Sequence, residues 1–306
     1  MREQIARNER KTVLLIAGAL VFTGAIGYIL GLVIGGGSMQ AALGALVVAL
    51  LISIALSWSS YRYGDRVVLA TSRARPVTHE EEPRLHNVVE GLALAAGLPK
   101  PAVYVVPEQS PNAFATGRDP QHASIAVTQG LLDMMNRVEL EGVVGHEMSH
   151  IRDRDILVGT VVATLVGVVV LLAEFMLRWF WWGGMGGRRR NNDGGGQGFA
   201  ILAVVGLVLA ILAPFFAQII KLSMSRRREY LADAEGAMLT RYPPGLAAAL
   251  RKIADDHTPM RTANNATAHL WLNQPSRTPG EQNHWFENLF STHPPIEERI
   301  RLLEEM

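Results

Sequence analysis

The chain has 306 residues, a formal net charge of +1 and no cysteine. The absence of cysteine excludes disulfides and thiolate zinc sites, and the balanced charge excludes a general attraction to nucleic acid. Hydrophobic residues make up 49% of the chain and charged residues 19%, and the apolar residues are concentrated in a few uninterrupted segments. This distribution is typical of a membrane protein that carries polar parts between its spans.

Four apolar segments are long enough to cross a bilayer as helices. The first two are separated by a short glycine-rich loop, and the other two form a second hairpin later in the chain. Because a second span follows the first directly, we interpret the first as a membrane helix and not as a cleaved signal sequence. The predicted spans are residues 12–34, 39–58, 156–182 and 199–220.

Basic residues flank these spans mainly on one side. Arg7, Arg10 and Lys11 precede the first span, and the arginines at 226–228 follow the fourth. Positive flanks stay in the cytoplasm, so we expect both termini and the polar segments on that side. Three arginines at 188–190, in the loop between the third and fourth spans, disagree with this rule. They leave open whether the second hairpin fully spans the membrane.

The expected fold is a mostly helical α+β membrane protein with a small sheet. Its predicted parts are a membrane hairpin (1–58), a cytoplasmic part (59–155), a second membrane hairpin (156–222) and a second cytoplasmic part (223–306). In the first cytoplasmic part, Thr78 and Glu81 predict a capping box. We expect the capping box to open a helix whose apolar residues are Leu85, Val88, Val89, Leu92 and Leu94.

Two strands are predicted after that helix, at residues 102–106 (AVYVV) and 123–128 (ASIAVT). Between them, the segment SPNAFATGRDP is rich in turn residues, and we expect Asn112, Ala113 and Phe114 within it to be exposed. The strands either only support the next helix or also offer a free edge to an extended peptide. The residues themselves leave both possibilities open.

The segment VVGHEMSHIRDRD, residues 143–155, contains a His-Glu-x-x-His motif. His146 and His150 are four residues apart on a helix that we expect to begin near Val138, so both can bind one metal ion. Glu147 lies beside them, where it could take a proton from a metal-bound water. A catalytic zinc site also needs a third protein ligand.

Distance along the membrane helices selects the candidate for the third ligand. A continuous helix would carry Glu174 about 36 Å from His150, at ~1.5 Å per residue. Glu229 instead returns to the level of the histidines, because the two helical legs of the second hairpin would span roughly 48 and 45 Å. Asp233, one turn later, could accept the second N–H of a ligating imidazole. An ion pair of Glu229 with a neighbouring arginine and a solvated or capping Asp233 remain alternatives.

Several motifs occur in a fixed order around the two hydrophobic hairpins: Asn112-Ala113-Phe114, the His146 to His150 motif, the segment EYLAD from Glu229, and the tail FSTHPPIEERI. With these motifs the chain resembles the HtpX-type bacterial membrane zinc endopeptidases, which are relatives of the prenyl-protein (CaaX) endopeptidases. The resemblance covers essentially the whole chain. It implies a gluzincin-like domain that faces the cytoplasm and cleaves misfolded or damaged membrane proteins.

The resemblance also implies roles for individual residues. It implies one zinc ion per chain, a general base, a carboxylate behind a ligating histidine, a substrate cleft lined by an edge strand, and a pair that stabilises the oxyanion. The zinc ligands would be His146, His150 and Glu229, the general base Glu147, and the carboxylate behind the histidine Asp233. Asn112, Ala113 and Phe114 would line the cleft, and His293 with Arg299 would stabilise the oxyanion. Without the resemblance, a histidine before two prolines is more typical of a helix cap, and Arg299 of a surface residue or a partner to a buried carboxylate.

Our interpretation is a zinc-dependent endopeptidase of the bacterial inner membrane. Its partners would be unfolded or misfolded membrane proteins and the lipid bilayer, and its oligomeric state stays open. A prenyl-protein endopeptidase would use the same residues, and an inactive scaffold that binds unfolded proteins would keep the cleft without the chemistry. A channel or transporter would need more ionisable residues inside the spans.

Overall fold

The computed structural model describes residues 2–166, 226–260, 267–273 and 294–306. The predicted spans beyond residue 166, the arginines at 188–190 and His293 lie outside these ranges. The described helices are α1 (Arg2–Ile34), α2 (Met39–Thr71), α3 (Pro83–Ala96), α4 (Gln129–Met134), α5 (Arg137–Arg152), α6 (Asp155–Val166), α7 (Arg226–Thr240), α8 (Pro243–Asp255) and α9 (Ile296–Glu304). The strands are β1 (Arg75–Pro76), β2 (Ala102–Val106), β3 (Ala113–Gly117) and β4 (Ala123–Thr128).

Helices α1 and α2 are long and apolar enough to cross a membrane. Their apolar stretches, Glu3–Leu32 and Met39–Thr71, reach mean hydropathies of 2.3 and 2.4, and only 17% and 11% of the most apolar parts are buried. Large side chains such as Val21 and Leu51 are 74% and 61% exposed. Such a surface is suited to lipid. Helix α2 continues well past the predicted end of the second span at residue 58.

The α1–α2 hairpin packs closely because small residues meet at its interface. A Cβ added to Gly27 would lie 2.4 Å from the Cβ of Ala49, and one on Gly31 would lie 2.7 Å from the Cα of Ala42. Small residues let the two backbones approach, and this favours association of helices in a bilayer, where burial of apolar surface contributes little.

The sheet has the order β1-β2-β4-β3. Strand β2 runs parallel to β4, whereas β3 is antiparallel to it and lies at the edge. Both predicted strands are confirmed. The expectation that residues 112–114 form an exposed turn is wrong, because every residue of β3 is buried under α2, α5 and the segment at 268–270.

Helix α3 begins later than predicted. Thr78 and Glu81 make both hydrogen bonds of a capping box, from Thr78 N to Glu81 Oε2 (2.8 Å) and from Glu81 N to Thr78 Oγ1 (3.4 Å), but they do so within a turn. The helix starts at Pro83, because proline is suited to the first helical position. The predicted apolar residues of α3 are buried except Leu94, which is 83% exposed.

Helix α5 carries the His-Glu-x-x-His motif through the centre of the domain. It begins with a capping box in which Asn136 Oδ1 accepts from Glu139 N (3.0 Å) and Glu139 Oε2 accepts from Asn136 N (2.8 Å). It ends at Arg152, because Arg154 adopts a left-handed backbone with φ of 58°. The predicted continuous helix from the motif into the third span is therefore wrong, and α6 is a separate helix.

The start of α6 is buried between α2 and the edge strand. Thr160 shares a hydrogen bond with Thr116 (Oγ1 to Oγ1, 2.8 Å), and its Oγ1 also accepts from the N–H of Gly117 (3.1 Å). On the other side, a Cβ on Gly64 of α2 would lie 2.8 Å from Cγ2 of Thr160. The membrane hairpin, α6 and the sheet thus form one packed unit next to the motif.

Helix α7 crosses α5 at two glycines. A Cβ on Gly236 would lie 2.7 Å from the backbone nitrogen of His146, and one on Gly145 would lie 3.2 Å from the carbonyl oxygen of Gly236. No larger residue fits there without separating the helices. The crossing therefore places α7 directly against the motif.

The variant Gly236→Ala tests this crossing. Its methyl group meets backbone atoms of α5, so we expect a loss of about 1–3 kcal/mol in the free energy of unfolding, measured as a lower Tm in detergent. The matched control is Gly91→Ala on the exposed face of α3, where an added Cβ has nothing within 4 Å. There alanine should leave the Tm unchanged or raise it slightly. Equal Tm values for the two variants would contradict the close crossing.

Candidate metal centre

Three side chains from α5 and α7 bring their donor atoms together. The atoms belong to His146, His150 and Glu229, and all of them lie within 4.8 Å of one another. The two Nε2 atoms are 3.1 Å apart. The carboxylate oxygens of Glu229 lie 3.9 Å from Nε2 of His146 and 3.7 Å from Nε2 of His150. Two imidazoles and one carboxylate form a donor set that suits a divalent metal ion.

A buried ion pair lies behind His146. Its Nδ1 is 2.8 Å from Oδ1 of Asp233, and Arg299 donates to Asp233 through Nη2 (2.7 Å) and Nε (2.8 Å). Burial alone would raise the pKa of Asp233, but the charge of Arg299 outweighs it and lowers the pKa to about 2. Asp233 is thus an ionised acceptor for the Nδ1 proton of His146.

Asp155, at the start of α6, contacts His150 in the same way. Its Oδ2 lies 3.0 Å from Nδ1 of His150. Its Oδ1 accepts from Nη1 of Arg228 (2.8 Å) and from Nδ2 of Asn8 in α1 (2.6 Å). Each imidazole of the motif therefore has a carboxylate on its Nδ1 side.

These contacts suit a positive charge between the two histidines, which a metal ion or a proton can supply. When each Nδ1 donates its proton to a carboxylate, each Nε2 presents a lone pair. Two lone pairs that face each other across 3.1 Å repel unless a proton or a cation lies between them. In the metal-free protein burial lowers the pKa of His146. Burial also acts to lower the pKa of His150, but the hydrogen bond to Asp155 and the charge of Glu229 raise it to about 9.

Glu147 is the buried acid next to this donor set. Burial raises its pKa to about 7; the charge of His150 acts against the rise and that of Glu229 adds to it. The backbone N–H of Ala115 on β3 interacts with its carboxylate. A carboxyl group with a pKa close to neutrality can both accept and return a proton.

The site opens into a pocket between α5, α6 and the segment that follows α8. The pocket wall includes the motif residues, Glu229, Ala115 of β3, and residues 269–272. Residues 269–272, in the segment that follows α8, border the pocket. Trp271 is fully buried, and its ring packs edge-on against Phe114 with the centroids 4.7 Å apart.

The outer edge of β3 is partly occupied by the chain itself. Thr128 N donates to Asn112 O (2.9 Å), so the alternation of an antiparallel pair turns the peptide groups of residues 113, 115 and 117 away from β4. Ala113 O accepts from Leu272 N (2.8 Å). The N–H of Gly117 is bound by Thr160, as described above. Of these three positions, Ala115 is the one at the pocket.

The predicted cleft residues lie behind that position. The side chain of Asn112 bonds to the backbone of Asn273, donating from Nδ2 to the carbonyl (2.8 Å) and accepting from the N–H at Oδ1 (3.1 Å). The ring of Phe114 is 1% exposed, and Ala113 is fully buried. The three residues fasten segment 271–273 to the edge strand.

Arg299 faces Asp233 and not the pocket. Its Nη1 donates to the carbonyl of Leu272 (3.1 Å) and lies 4.0 Å from Oε2 of Glu229, and the residue is 2% exposed. This contact matches the alternative stated from the sequence, in which Arg299 is a partner to a buried carboxylate. His293, predicted to act with Arg299, lies outside the described residues.

Sequence reasoning missed Asp155, Arg228 and Asn8. Asp155 closes the quoted motif segment, but five residues after His150 it would point to another side of a continuous helix. The break of the helix at Arg154 is what brings the side chain of Asp155 back toward His150. Arg228 adjoins Glu229, and its charge was taken as a membrane flank. A lone asparagine among the arginines before an apolar span was the available signal for Asn8.

Known proteins of similar sequence cover nearly the whole chain. Residues 79–306 match the model of peptidase family M48. A protease HtpX homolog from Thermoanaerobacter pseudethanolicus is 48% identical over 301 residues, which are 98% of this chain and 96% of the relative. One from Pyrococcus furiosus is 44% identical over 293 residues, 94% and 96% of the two chains. The crystal structure of S. mikatae Ste24p aligns with a TM-score of 0.49 and 17% identity, covering 99% of this chain and 67% of that one.

The predicted resemblance is thereby confirmed. The Thermoanaerobacter relative covers 98% of this chain, and the family match at 79–306 includes both parts of the candidate metal centre. The chain belongs to peptidase family M48 and is a membrane metallopeptidase.

Proposed function

We propose that this protein is a zinc-dependent endopeptidase that hydrolyses peptide bonds at the centre formed by α5 and α7. The observation that carries the proposal is the convergence of His146, His150 and Glu229 beside the acid Glu147. Two histidines and one glutamate are the protein ligands of one class of hydrolytic zinc site. We assign about one zinc ion to each chain on that ground.

In this proposal Glu147 is the general base. A bound zinc ion would act as a Lewis acid that polarises the scissile carbonyl and acidifies a water. Glu147 would take the proton of the attacking water and deliver it to the leaving amine. The N–H of Ala115 orients its carboxylate, and burial keeps its pKa near neutrality.

The other residues would hold the ligands in place and bind substrate. Asp233 would fix the tautomer of His146, and Arg299 would keep Asp233 ionised. His293 would contact the negative charge that develops on the oxygen of the scissile carbonyl. An extended substrate would lie along the edge of β3 beside the carbonyl of Ala115, because the N–H of that residue is engaged by Glu147. Asn112, Ala113 and Phe114 would secure that strand.

The proposed setting is the bacterial inner membrane with the centre on the cytoplasmic side. The apolar hairpin of α1 and α2 supports membrane anchoring, and the basic flanks support this orientation. We propose that residues 156–222 form a second membrane hairpin, which makes four spans in total. The catalytic parts would then be residues 59–155 and 223–306. Misfolded or damaged membrane proteins are the proposed substrates.

The variant Glu147→Gln separates chemistry from metal binding. Glutamine is nearly isosteric but accepts no proton, so cleavage of unfolded casein should fall by at least ~10²-fold while zinc content stays unchanged. Glu141→Gln, on an outer face of α5, is the control and should keep both. Wild-type cleavage by Glu147→Gln would refute the proposed base. An inactive scaffold, in contrast, would show no zinc-dependent cleavage even in the wild-type protein.

The variant Glu229→Gln tests the third ligand. Loss of the anionic donor should weaken zinc binding by at least ~10-fold, measured by competition with a chelator, and lower casein cleavage in parallel. Glu235→Gln on the same helix removes an ion pair with Arg152 and leaves the three donor side chains in place, so it should retain wild-type affinity. If both variants bound zinc as tightly as the wild type, Glu229 would not be a ligand.

Substrate chemistry separates the proposal from a prenyl-protein endopeptidase. The purified protein should cleave unfolded proteins that carry no prenyl group, at internal positions identified by mass spectrometry. Dependence of cleavage on a prenylated cysteine near the substrate C-terminus would favour the alternative enzyme class.

A further inference from the structure

The N-terminal membrane helix reaches the candidate metal centre through one buried side chain. Asn8 lies in α1 ahead of the predicted span that begins at residue 12, and it is 2% exposed. Its amide nitrogen donates to the carbonyl oxygen of Asp153 (2.9 Å) and to Oδ1 of Asp155 (2.6 Å). Both acceptors belong to the turn between α5 and α6.

We propose that Asp155 and Asn8 are positioning residues for His150, so that the seating of α1 sets the affinity of the centre for its metal ion. This inference rests on the proposed function, because it takes His150 as a ligand. Neither residue touches substrate or metal. Both act through the imidazole of His150.

Hydrogen bonds connect Asn8 to Asp155 and Asp155 to His150. Asp155 uses Oδ2 for Nδ1 of His150 and Oδ1 for two donors, Asn8 and Arg228. The carboxylate is therefore held on both sides, and its rotation would carry the imidazole with it. An imidazole whose Nδ1 proton has a fixed acceptor keeps Nε2 as the metal donor and keeps its ring in one orientation.

The break between α5 and α6 makes this contact possible. Arg154, with its left-handed backbone, redirects the chain so that Asp155 faces His150 five residues back. Asn8 donates to Asp153 O in the same turn, so it stabilises the carbonyl and the carboxylate together. A buried amide with both hydrogens directed at one turn fixes that turn more firmly than an apolar residue could.

The neighbouring residue provides a matched comparison. Glu9 pairs with Arg154 of the same turn, but the ion pair is exposed and neither side chain bonds to Asp155. Loss of the Glu9 charge should therefore change the docking of α1 only slightly. Loss of the Asn8 amide removes a donor from Asp155 itself.

The test compares full-length Asn8→Leu, Asp155→Asn and Glu9→Gln with the wild type in detergent. Zinc affinity is measured by chelator competition, the geometry of the centre by the visible absorption spectrum with cobalt, and folding by the Tm of the metal-free protein. Removal of an outer contact to a ligating histidine costs ~10–100-fold in affinity, and we expect this for Asp155→Asn. Asn8→Leu should lose about 3–10-fold, because Arg228 still holds Asp155.

A positioning role predicts weaker zinc binding and an altered cobalt spectrum in both variants, with Glu9→Gln within about 2-fold of the wild type. A merely structural role would lower the metal-free Tm and leave affinity and spectrum unchanged, which would overturn the inference. Asn8→Asp is the second variant if leucine prevents folding: it keeps the size of the side chain, replaces the donor with an acceptor and should weaken zinc binding. Wild-type protein that binds no zinc would instead refute the proposed function itself.

Discussion

The close crossing of α5 and α7 at Gly145 and Gly236 is the constraint on which the centre depends. A backbone separation this small puts two consecutive turns of α7 within side-chain reach of the motif helix. Glu229 then meets the imidazoles directly, and Asp233 meets the far side of one of them. Larger residues at the crossing would separate the two helices and leave both carboxylates too far from the histidines. The glycines therefore contribute to the chemistry although they carry no functional group.

The two histidines are supported by different parts of the fold. His146 is backed by Asp233 and Arg299, and thus by the C-terminal helices. His150 is backed by Asp155, which joins α6, the start of α7 and the membrane helix α1. Segments that are far apart in the chain must all be in place before both imidazoles are fixed. If Asn8 has the proposed positioning role, correct assembly of the membrane hairpin and metal binding at the centre are linked.

Much of the fold and the donor set follows from local rules. The i, i+4 spacing of the histidines, the strands at 102–106 and 123–128 and the apolar helices needed only periodicity and length. Glu229 required an estimate of how far two helical legs extend, and the observed juxtaposition of Glu229 with the histidines agrees with that expectation, although α5 ends at Arg152. Asp155 and Asn8 were beyond such rules, because their contacts depend on a break of the helix at Arg154 and on docking of distant elements. The burial of β3 depends likewise on tertiary cover, which the composition of SPNAFATGRDP does not reveal.

The edge of β3 has a consequence for the choice of substrate. The N–H of Leu272 donates to Ala113 O, the N–H of Gly117 donates to Thr160, and the N–H of Ala115 interacts with the carboxylate of Glu147. A partner strand that belongs to a stable sheet needs several consecutive backbone bonds and has no room to form them here. We expect the site to admit a single flexible stretch of polypeptide and to exclude a segment that is already held in a stable sheet.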